Sequence, residues 1–282
     1  MRRVGFLEII ASDFRAWDLC RNRYNGTTTS MTVIESVDEL NIPWSTAQLA
    51  FSKMKFDRIV RCNIMQRAFG LDIPQRLEDI CDPTRLALVV YDMQVGIVKQ
   101  IENGQQITDR VVQVLEAARK VGIRVLFTRH MSLPKELMGI SQFRMAMAWQ
   151  RVKSPDDVKP WFLRDAPGFH LVPEMTPLPS EAIFDKISMS AFEGTPLDMA
   201  LRDCGIDSFA IVGIAMEIGI EPTVRHGTDL GYIPVVIKDA CGFGHLQAAD
   251  RSIASLEFAG DALLTNVGTF CAQLGRNTVN ER

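Results

Sequence analysis

The sequence predicts an α/β fold, a mainly parallel sheet with helices on both faces, over residues 83–282. Strand-length apolar runs recur there, beginning with Arg85–Tyr91, whose almost continuous hydrophobic character is typical of a strand covered on both faces. Between these runs lie segments whose apolar residues repeat at helical spacing. Strands that alternate with helices favour a parallel sheet.

Each element follows from its local pattern. Apolar residues from Ile107 to Ala118 recur at helical spacing, and Gly122 ends that helix before a second strand over 124–128. A connection over 131–180, rich in Met, Pro and Trp, has the length of a lid or specificity loop. The remaining predicted elements are a strand over 182–186, a helix capped by Thr195, a strand over 208–214, a helix to about Asp229, a strand over 233–239, a helix over 247–259 and an apolar segment over 262–265.

Residues 1–82 are predicted to form an N-terminal, partly helical extension, because their apolar residues, as far as Phe69, fit one or two short helices only loosely. Residues 1–30 contain five arginines and no lysine, and Met31 opens a more ordinary sequence. We hypothesise that residues 1–30 are an over-called start. A disordered arm is the alternative, since chain termini are often unordered.

Composition narrows the classes of partner. With a net charge of −3 and a sequence pI of about 5.9, the chain has no broad basic surface for nucleic acid or anionic membranes, which favours a small-molecule partner. Its apolar runs stop well short of the roughly 20 residues that span a bilayer, and no secretion signal is evident. The six cysteines are scattered without a C-x-x-C pair, which indicates a reducing cytoplasm.

Two charged residues close predicted strands. Asp92 directly follows the first strand, and Lys186 ends the apolar strand over 182–186. Because active sites in parallel sheets lie at the carboxyl ends of the strands, we expect both side chains at one cleft. The alternatives are a carboxylate that caps a turn and a lysine that extends to the surface.

Four segments, 89–94, 184–192, 213–219 and 231–241, together resemble the isochorismatase-like hydrolase superfamily, also called the cysteine hydrolase superfamily. The resemblance covers about residues 84–270. It implies a Rossmann-like three-layer α/β/α sandwich, usually assembled as a homo-oligomer, either a dimer or a tetramer.

The resemblance also implies catalytic residues. An aspartate, a lysine and a cysteine form the site in most members, and they correspond here to Asp92, Lys186 and Gly219. Because glycine carries no nucleophile, the thioester chemistry of amidase members is excluded. Members that cleave isochorismate also have glycine at this position, but Glu217 stands where they carry a histidine, which argues against isochorismate as the substrate.

Further roles follow from the same resemblance. A cis peptide between Ile214 and Ala215 is common in the family, the alternative being an ordinary trans turn, and the N–H groups of Ala215 and Gly219 are expected to stabilise a developing oxyanion.

The residues expected to bind substrate are Gln94, Arg129, His130 and Glu217. The planar fork of Arg129 suits a carboxylate. His130 either contacts substrate or only hydrogen-bonds at its strand end. His130 lacks the carboxylate partner that metal-binding members of the family have, so too few ligands are present and no metal is expected. No other cofactor is expected either.

The sequence therefore predicts a hydrolase for a small polar molecule, amide- or ether-containing and carboxylated, that works without a cysteine. Asp92 would be the acid or base and Lys186 its electrostatic partner. A non-catalytic binding protein on the same fold, or a cysteine amidase with its nucleophile replaced at Gly219, are the alternatives. Apolar walls for specificity are expected at Met131, Phe143, Met147 and Trp149.

Overall fold

The computed structural model describes residues 65–277, so the predictions for residues 1–64, including the over-called start, lie outside the described residues. The chain divides into two compact units, Met1–Ile64 and Met65–Arg282. The domain boundary near residue 82 stays a prediction. Within residues 65–277 every helix is too short or too polar to span a bilayer.

The described part opens with a small antiparallel hairpin, β1 (Gln66–Ala68) and β2 (Leu71–Ile73). Phe69 and Gly70 form its turn with φ values of 50° and 83°, the left-handed conformation that tight hairpins require. The prediction that Phe69 belongs to a short helix is therefore wrong, because the backbone of a right-handed helix cannot adopt these angles.

Six parallel strands form the main sheet, which confirms the predicted fold class. They are β3 (Leu86–Tyr91), β4 (Arg124–His130), β5 (Ala182–Lys186), β6 (Ser208–Ile214), β7 (Ile233–Gly242) and β8 (Leu263–Thr265). Their order across the sheet is β5-β4-β3-β6-β7-β8, and every pairing is parallel. The chain order reverses between β3 and β6, the position where ligands bind in open parallel sheets.

Helices cover both faces of this sheet. They are α1 (Leu77–Ile80), α2 (Val95–Val98), α3 (Gly104–Lys120), α4 (Ile140–Gln150), α5 (Leu197–Asp203), α6 (Glu221–Asp229), α7 (Leu246–Ala259) and α8 (Val267–Asn277). Alternate residues of β3 enter two separate cores: Leu88 and Val90 pack with α3 and α8, whereas Val89 and Tyr91 pack with α5, α6 and α7. This double burial explains the continuous apolar run of β3.

Two of the longer helices, α4 and α8, were not predicted, and neither were the one-turn helices α1 and α2. Helix α4 lies in the connection over 131–180 and has no buried residue, so it lacks the periodic apolar face on which sequence prediction depends. Helix α8 buries Val267, Phe270 and Leu274, whose spacing of three and four residues is a helical signal present in the sequence. The structure therefore closes the fold with one more core helix than expected.

Candidate active site

Asp92 lies at the carboxyl end of β3, at the point where the strand order reverses. Its φ is 49°, a left-handed conformation that aspartate tolerates better than most residues. Thr128 of the neighbouring strand fixes its carboxylate: the Thr128 hydroxyl donates to Asp92 Oδ1 at 2.6 Å, and the Asp92 N–H donates to the Thr128 carbonyl oxygen at 3.2 Å. The side chain is thus held in one orientation beneath the surface.

Lys186 ends β5 and reaches across β4 to Asp92. Its Nζ lies 2.7 Å from Asp92 Oδ2, 2.8 Å from the Tyr91 hydroxyl and 3.2 Å from the Ser188 carbonyl oxygen, so each of its three protons has an acceptor. The residue is only 2% exposed, which excludes the alternative that it extends to the surface. Burial lowers the pKa of Lys186, and the adjacent Asp92 carboxylate opposes that shift.

Tyr91 is the third polar member of this cluster, and sequence reasoning missed its role. Its hydroxyl accepts from Lys186 and donates to the carbonyl oxygen of Met189. Burial, with the Asp92 charge beside it, raises the pKa of Tyr91 well above its usual value, so the phenol stays neutral. A tyrosine at the end of a fully buried strand was the available signal, because a buried hydroxyl needs hydrogen-bond partners.

The segment after β6 carries Gly219, the residue that the family resemblance matches to the nucleophilic cysteine. The expected cis peptide between Ile214 and Ala215 is confirmed, and a π-helical turn, Met216–Ile220, follows it. The N–H of Gly219 donates to the Ala215 carbonyl oxygen at 3.0 Å, so this proposed oxyanion donor already has an acceptor. The role of the Ala215 N–H stays a prediction.

Gln94 and Arg129 are both held by partners inside the protein. The Gln94 side chain donates to the carbonyl oxygens of His130 and Phe169 and accepts from the His130 N–H. Arg129 makes a bidentate ion pair with Asp185, with distances of 2.7 and 3.1 Å, and its guanidinium lies 4.3 Å from the Phe169 ring centroid. Both side chains hold the carboxyl edge of β4 in place, and their substrate contacts stay predictions.

Glu217 is anchored at the start of α7. Its Oε1 accepts from the N–H groups of Gly244 and His245 at 2.8 and 2.7 Å. Its Oε2 is buried and, within residues 65–277, has no hydrogen-bond partner. The contacts that the structure does show fix the loop before α7, and a substrate role for Glu217 stays a prediction.

A groove of about 60 Å³ adjoins the cluster. Its walls include His130 and Met189, which lie next to the cluster, and also Met131, Trp149, Trp161 and Phe162. Of the predicted walls, Met131 and Trp149 line this groove, whereas Phe143 and Met147 do not. The walls are mostly apolar and aromatic, as in many small-molecule sites.

His130 is a half-buried wall of the groove, with its ring edge-on to Phe162. Burial lowers the pKa of His130 to about 4, while the Asp92 carboxylate raises it and the Lys186 ammonium lowers it by smaller amounts. The ring is therefore neutral at pH 7.

This shift predicts acid sensitivity. The unfolded chain binds the His130 proton below about pH 6.5, whereas the folded chain binds it only near pH 4, so stability falls as the pH drops through this window. We expect the free energy of unfolding to fall by about 2–3 kcal/mol more in the wild type than in His130→Gln between pH 7 and pH 4.5. Urea denaturation at the two pH values measures this difference, and equal losses in both proteins would contradict the prediction.

Other reactive groups of the described residues lie apart from this cluster. Cys241 in β7 donates from Sγ to the Ile237 carbonyl oxygen at 3.2 Å, and burial raises the pKa of its thiol, so it is unsuited to nucleophilic attack. Within residues 65–277 no group of three or more His, Cys, Asp or Glu side chains is placed to hold a metal ion.

Comparison with known proteins identifies a family model and several relatives. The Isochorismatase domain matches residues 86–267. Ureidoacrylate amidohydrolase RutB from Enterobacter sp. (strain 638) is 28% identical over 214 residues, which cover 70% of this chain and 89% of the relative. The protein of the same name from Pseudomonas syringae pv. syringae (strain B728a) is 27% identical over 215 residues, which cover 71% and 84%.

Solved structures share the fold. A cysteine hydrolase from Pseudomonas syringae pv. phaseolicola 1448A superposes with a TM-score of 0.60 at 20% identity and covers 69% of this chain and 94% of its own. An isochorismatase family protein from Burkholderia thailandensis has a TM-score of 0.56 at 26% identity, with coverage of 69% and 97%. The two match essentially their whole length to this chain.

Proposed function

Since the chain belongs to the isochorismatase family of hydrolases, we propose that it cleaves an amide or ether bond of a small, polar, carboxylated molecule without a cysteine nucleophile. One observation carries this proposal. The buried Asp92–Lys186 ion pair is intact at 2.7 Å, although residue 219 carries no side chain. Burying two charges is costly, and a site that had lost its chemistry would have no need of them.

Water is the nucleophile in this proposal. For an amide, Asp92 takes a proton from water while the water oxygen bonds to the carbonyl carbon. The same proton then passes to the leaving nitrogen as the C–N bond breaks. For a vinyl ether, a protonated Asp92 gives its proton to the alkene carbon, and water adds to the resulting oxocarbenium carbon and returns a proton to Asp92. The hemiketal then collapses to a carbonyl and an alcohol as the C–O bond breaks. Lys186 holds Asp92 in place in both cases.

The named relatives and the groove support parts of this substrate class. The curated relatives are amidohydrolases by name, which favours the C–N bond. A carboxylate is expected beside the groove, where Arg129 and Arg164, which are not themselves groove walls, share Asp185 as their anion and leave a net positive charge. Arg164 is the more exposed of the two and contacts Met131, a wall of the groove. Its guanidinium is therefore the better-placed carboxylate partner.

A panel assay tests the proposal. Wild type, Asp92→Asn and the surface control Asp207→Asn are assayed on isochorismate, small primary amides, ureas and N-carbamoyl acids. Asp92→Asn keeps the shape of the side chain and removes the proton carrier, so we expect turnover of the active substrate to fall about a hundredfold or more. Asp207→Asn, in an exposed ion pair with Arg85, should keep wild-type turnover. Full turnover by Asp92→Asn would rule out this mechanism.

A second candidate is the non-catalytic binding protein. Asp92 and Lys186 are 3% and 2% exposed and do not line the groove, which favours a site that holds a ligand without reacting with it. Trp149 and Trp161 line the groove and report binding by fluorescence. Saturable quenching by a panel compound that the wild type never turns over would place this candidate first.

A further inference from the structure

The ring of Tyr91 occupies the space next to Gly219. A methyl carbon added to Gly219 in ideal geometry would lie 2.5 Å from Tyr91 Cε1 and closer still to the hydroxyl oxygen, whereas ordinary van der Waals contact begins at about 3.4 Å. The glycine is therefore not simply a missing side chain. The space beside it is filled from the opposite side by a residue of β3.

We propose that Tyr91 determines which chemistry this site performs, because its ring fills the volume that a nucleophilic side chain at position 219 would need. Tyr91 and Gly219 fit one another, and together they leave water as the nucleophile of the proposed reaction. The chemical role of this contact rests on the proposed function. The fit between Tyr91 and Gly219 can be tested without a substrate.

Tyr91 is not free to move aside. It is 2% exposed, its hydroxyl is held by Lys186 and by the Met189 carbonyl oxygen, and its ring packs in the core beneath α5, α6 and α7. A change of χ1 that swings the ring away from Gly219 displaces the hydroxyl, breaks both hydrogen bonds and leaves the Lys186 ammonium with one acceptor fewer.

Gly219 is equally fixed. Its N–H donates to the Ala215 carbonyl oxygen, and its own carbonyl oxygen accepts from the Thr223 hydroxyl at 2.7 Å. That hydroxyl also accepts from the Ala191 N–H at 3.0 Å, which ties the π-helical turn to the loop after β5. Neither side of the contact can yield without losing buried hydrogen bonds.

The packing of Tyr91 against Gly219 distinguishes between two possible origins of the glycine. If Gly219 were a lone replacement in an otherwise intact cysteine amidase, then Gly219→Cys would restore a fitting, reactive thiol. The observed packing requires the opposite: the thiol fits only when Tyr91 is shortened in the same chain.

The experiment compares Gly219→Cys in three backgrounds: wild type, Tyr91→Phe and Tyr91→Val. The Tyr91→Phe background keeps the ring and removes the hydroxyl, so it shows whether the ring or the hydroxyl is what excludes a side chain at position 219. We expect Gly219→Cys to lower the Tm by roughly 5 °C or more in the wild-type and Tyr91→Phe backgrounds, as overpacking does in chains of this size. In the Tyr91→Val background the same substitution should leave the Tm unchanged or raise it.

Alkylation by iodoacetamide gives a second readout, followed at the introduced thiol by peptide mass spectrometry because Cys204 is also exposed. The thiolate displaces iodide and forms an S–C bond. Removing the ring opens a path to Met189 and the groove, so we expect alkylation at least tenfold faster in the Tyr91→Val background than in the Tyr91→Phe background.

Gly219→Ala and Gly139→Ala complete the set. A methyl group at Gly139 has no atom within 4 Å. The Tm of Gly139→Ala should therefore stay near the wild-type value, whereas the Tm of Gly219→Ala should fall. Equal Tm values for Gly219→Ala and the wild type, or the same loss on Gly219→Cys in all three backgrounds, would overturn the pairing. Loss of turnover in the panel assay would leave these results unaffected, so the two proposals fail separately.

Discussion

Replacing Lys186 by methionine should lower the free energy of unfolding by about 3–5 kcal/mol, the usual effect of leaving one member of a buried ion pair alone. Methionine has a similar length and fills the channel to Asp92. What it removes is the charge that partners Asp92 Oδ2 and the donor that the Tyr91 hydroxyl accepts from. Urea denaturation at pH 7 measures the change.

Two comparisons sharpen this prediction. The double variant Lys186→Met, Asp92→Leu removes both charges and should recover part of the lost stability, because no uncompensated carboxylate remains. Arg202→Met breaks an exposed ion pair with Asp198 and should cost less than about 1 kcal/mol. If Lys186→Met were as stable as Arg202→Met, the buried pair would not exist in solution.

Gly213→Ala should cost more than about 4 kcal/mol, enough to prevent accumulation of folded protein. Gly213 pairs with Tyr91 across β3 and β6, and its φ is 125°; on its other side, the register of β6 against β7 shifts between Ile211 and Gly213. A methyl carbon there would lie 2.8 Å from the Tyr91 carbonyl carbon and closer still to the carbonyl oxygen. Backbone cannot move aside as a side chain can, so both the angle and the contact oppose the substitution.

Gly231→Ala is the matched control for that variant. Gly231 also has a positive φ, 90°, but no atom lies within 4 Å of an added methyl carbon. Its cost should be about 1–2 kcal/mol, the conformational cost of placing an L-residue in the left-handed region. Soluble yield and Tm of the two variants, measured side by side, distinguish the cost of the positive φ from the cost of the steric overlap with the Tyr91 backbone. Similar values for both would mean that the close approach of β3 and β6 is absent.

Local patterns were enough to predict most of the fold. The strands of the main sheet lie where apolar runs indicated, and Gly122 follows the end of α3 as expected. Asp92 and Lys186 come together as predicted, because each stands at the end of its strand and parallel strands share a carboxyl edge. Helix α4 was missed because it buries nothing, and helical periodicity is visible only when one face is apolar and covered.

The partners of Arg129 show the limit of this reasoning. Its fork was expected to bind a substrate carboxylate, and the register of β4 against β5 places Arg129 beside Asp185, whose carboxylate accepts from Arg129 Nε and Nη2. The register depends on how the two whole strands align, and the local sequence of β4 or of β5 is not enough to predict it.

Residue order alone was sufficient for the α/β class, the succession of strands, the family resemblance and the lack of a nucleophile at residue 219. What fills the space beside that residue became visible only in the packed structure. Tyr91 reads in sequence as one more apolar residue of a buried strand, and its contact with Gly219 joins β3 to the turn after β6. Alternation along a strand is a local property, whereas the volume that two distant residues share is fixed only when the sheet and its helices pack.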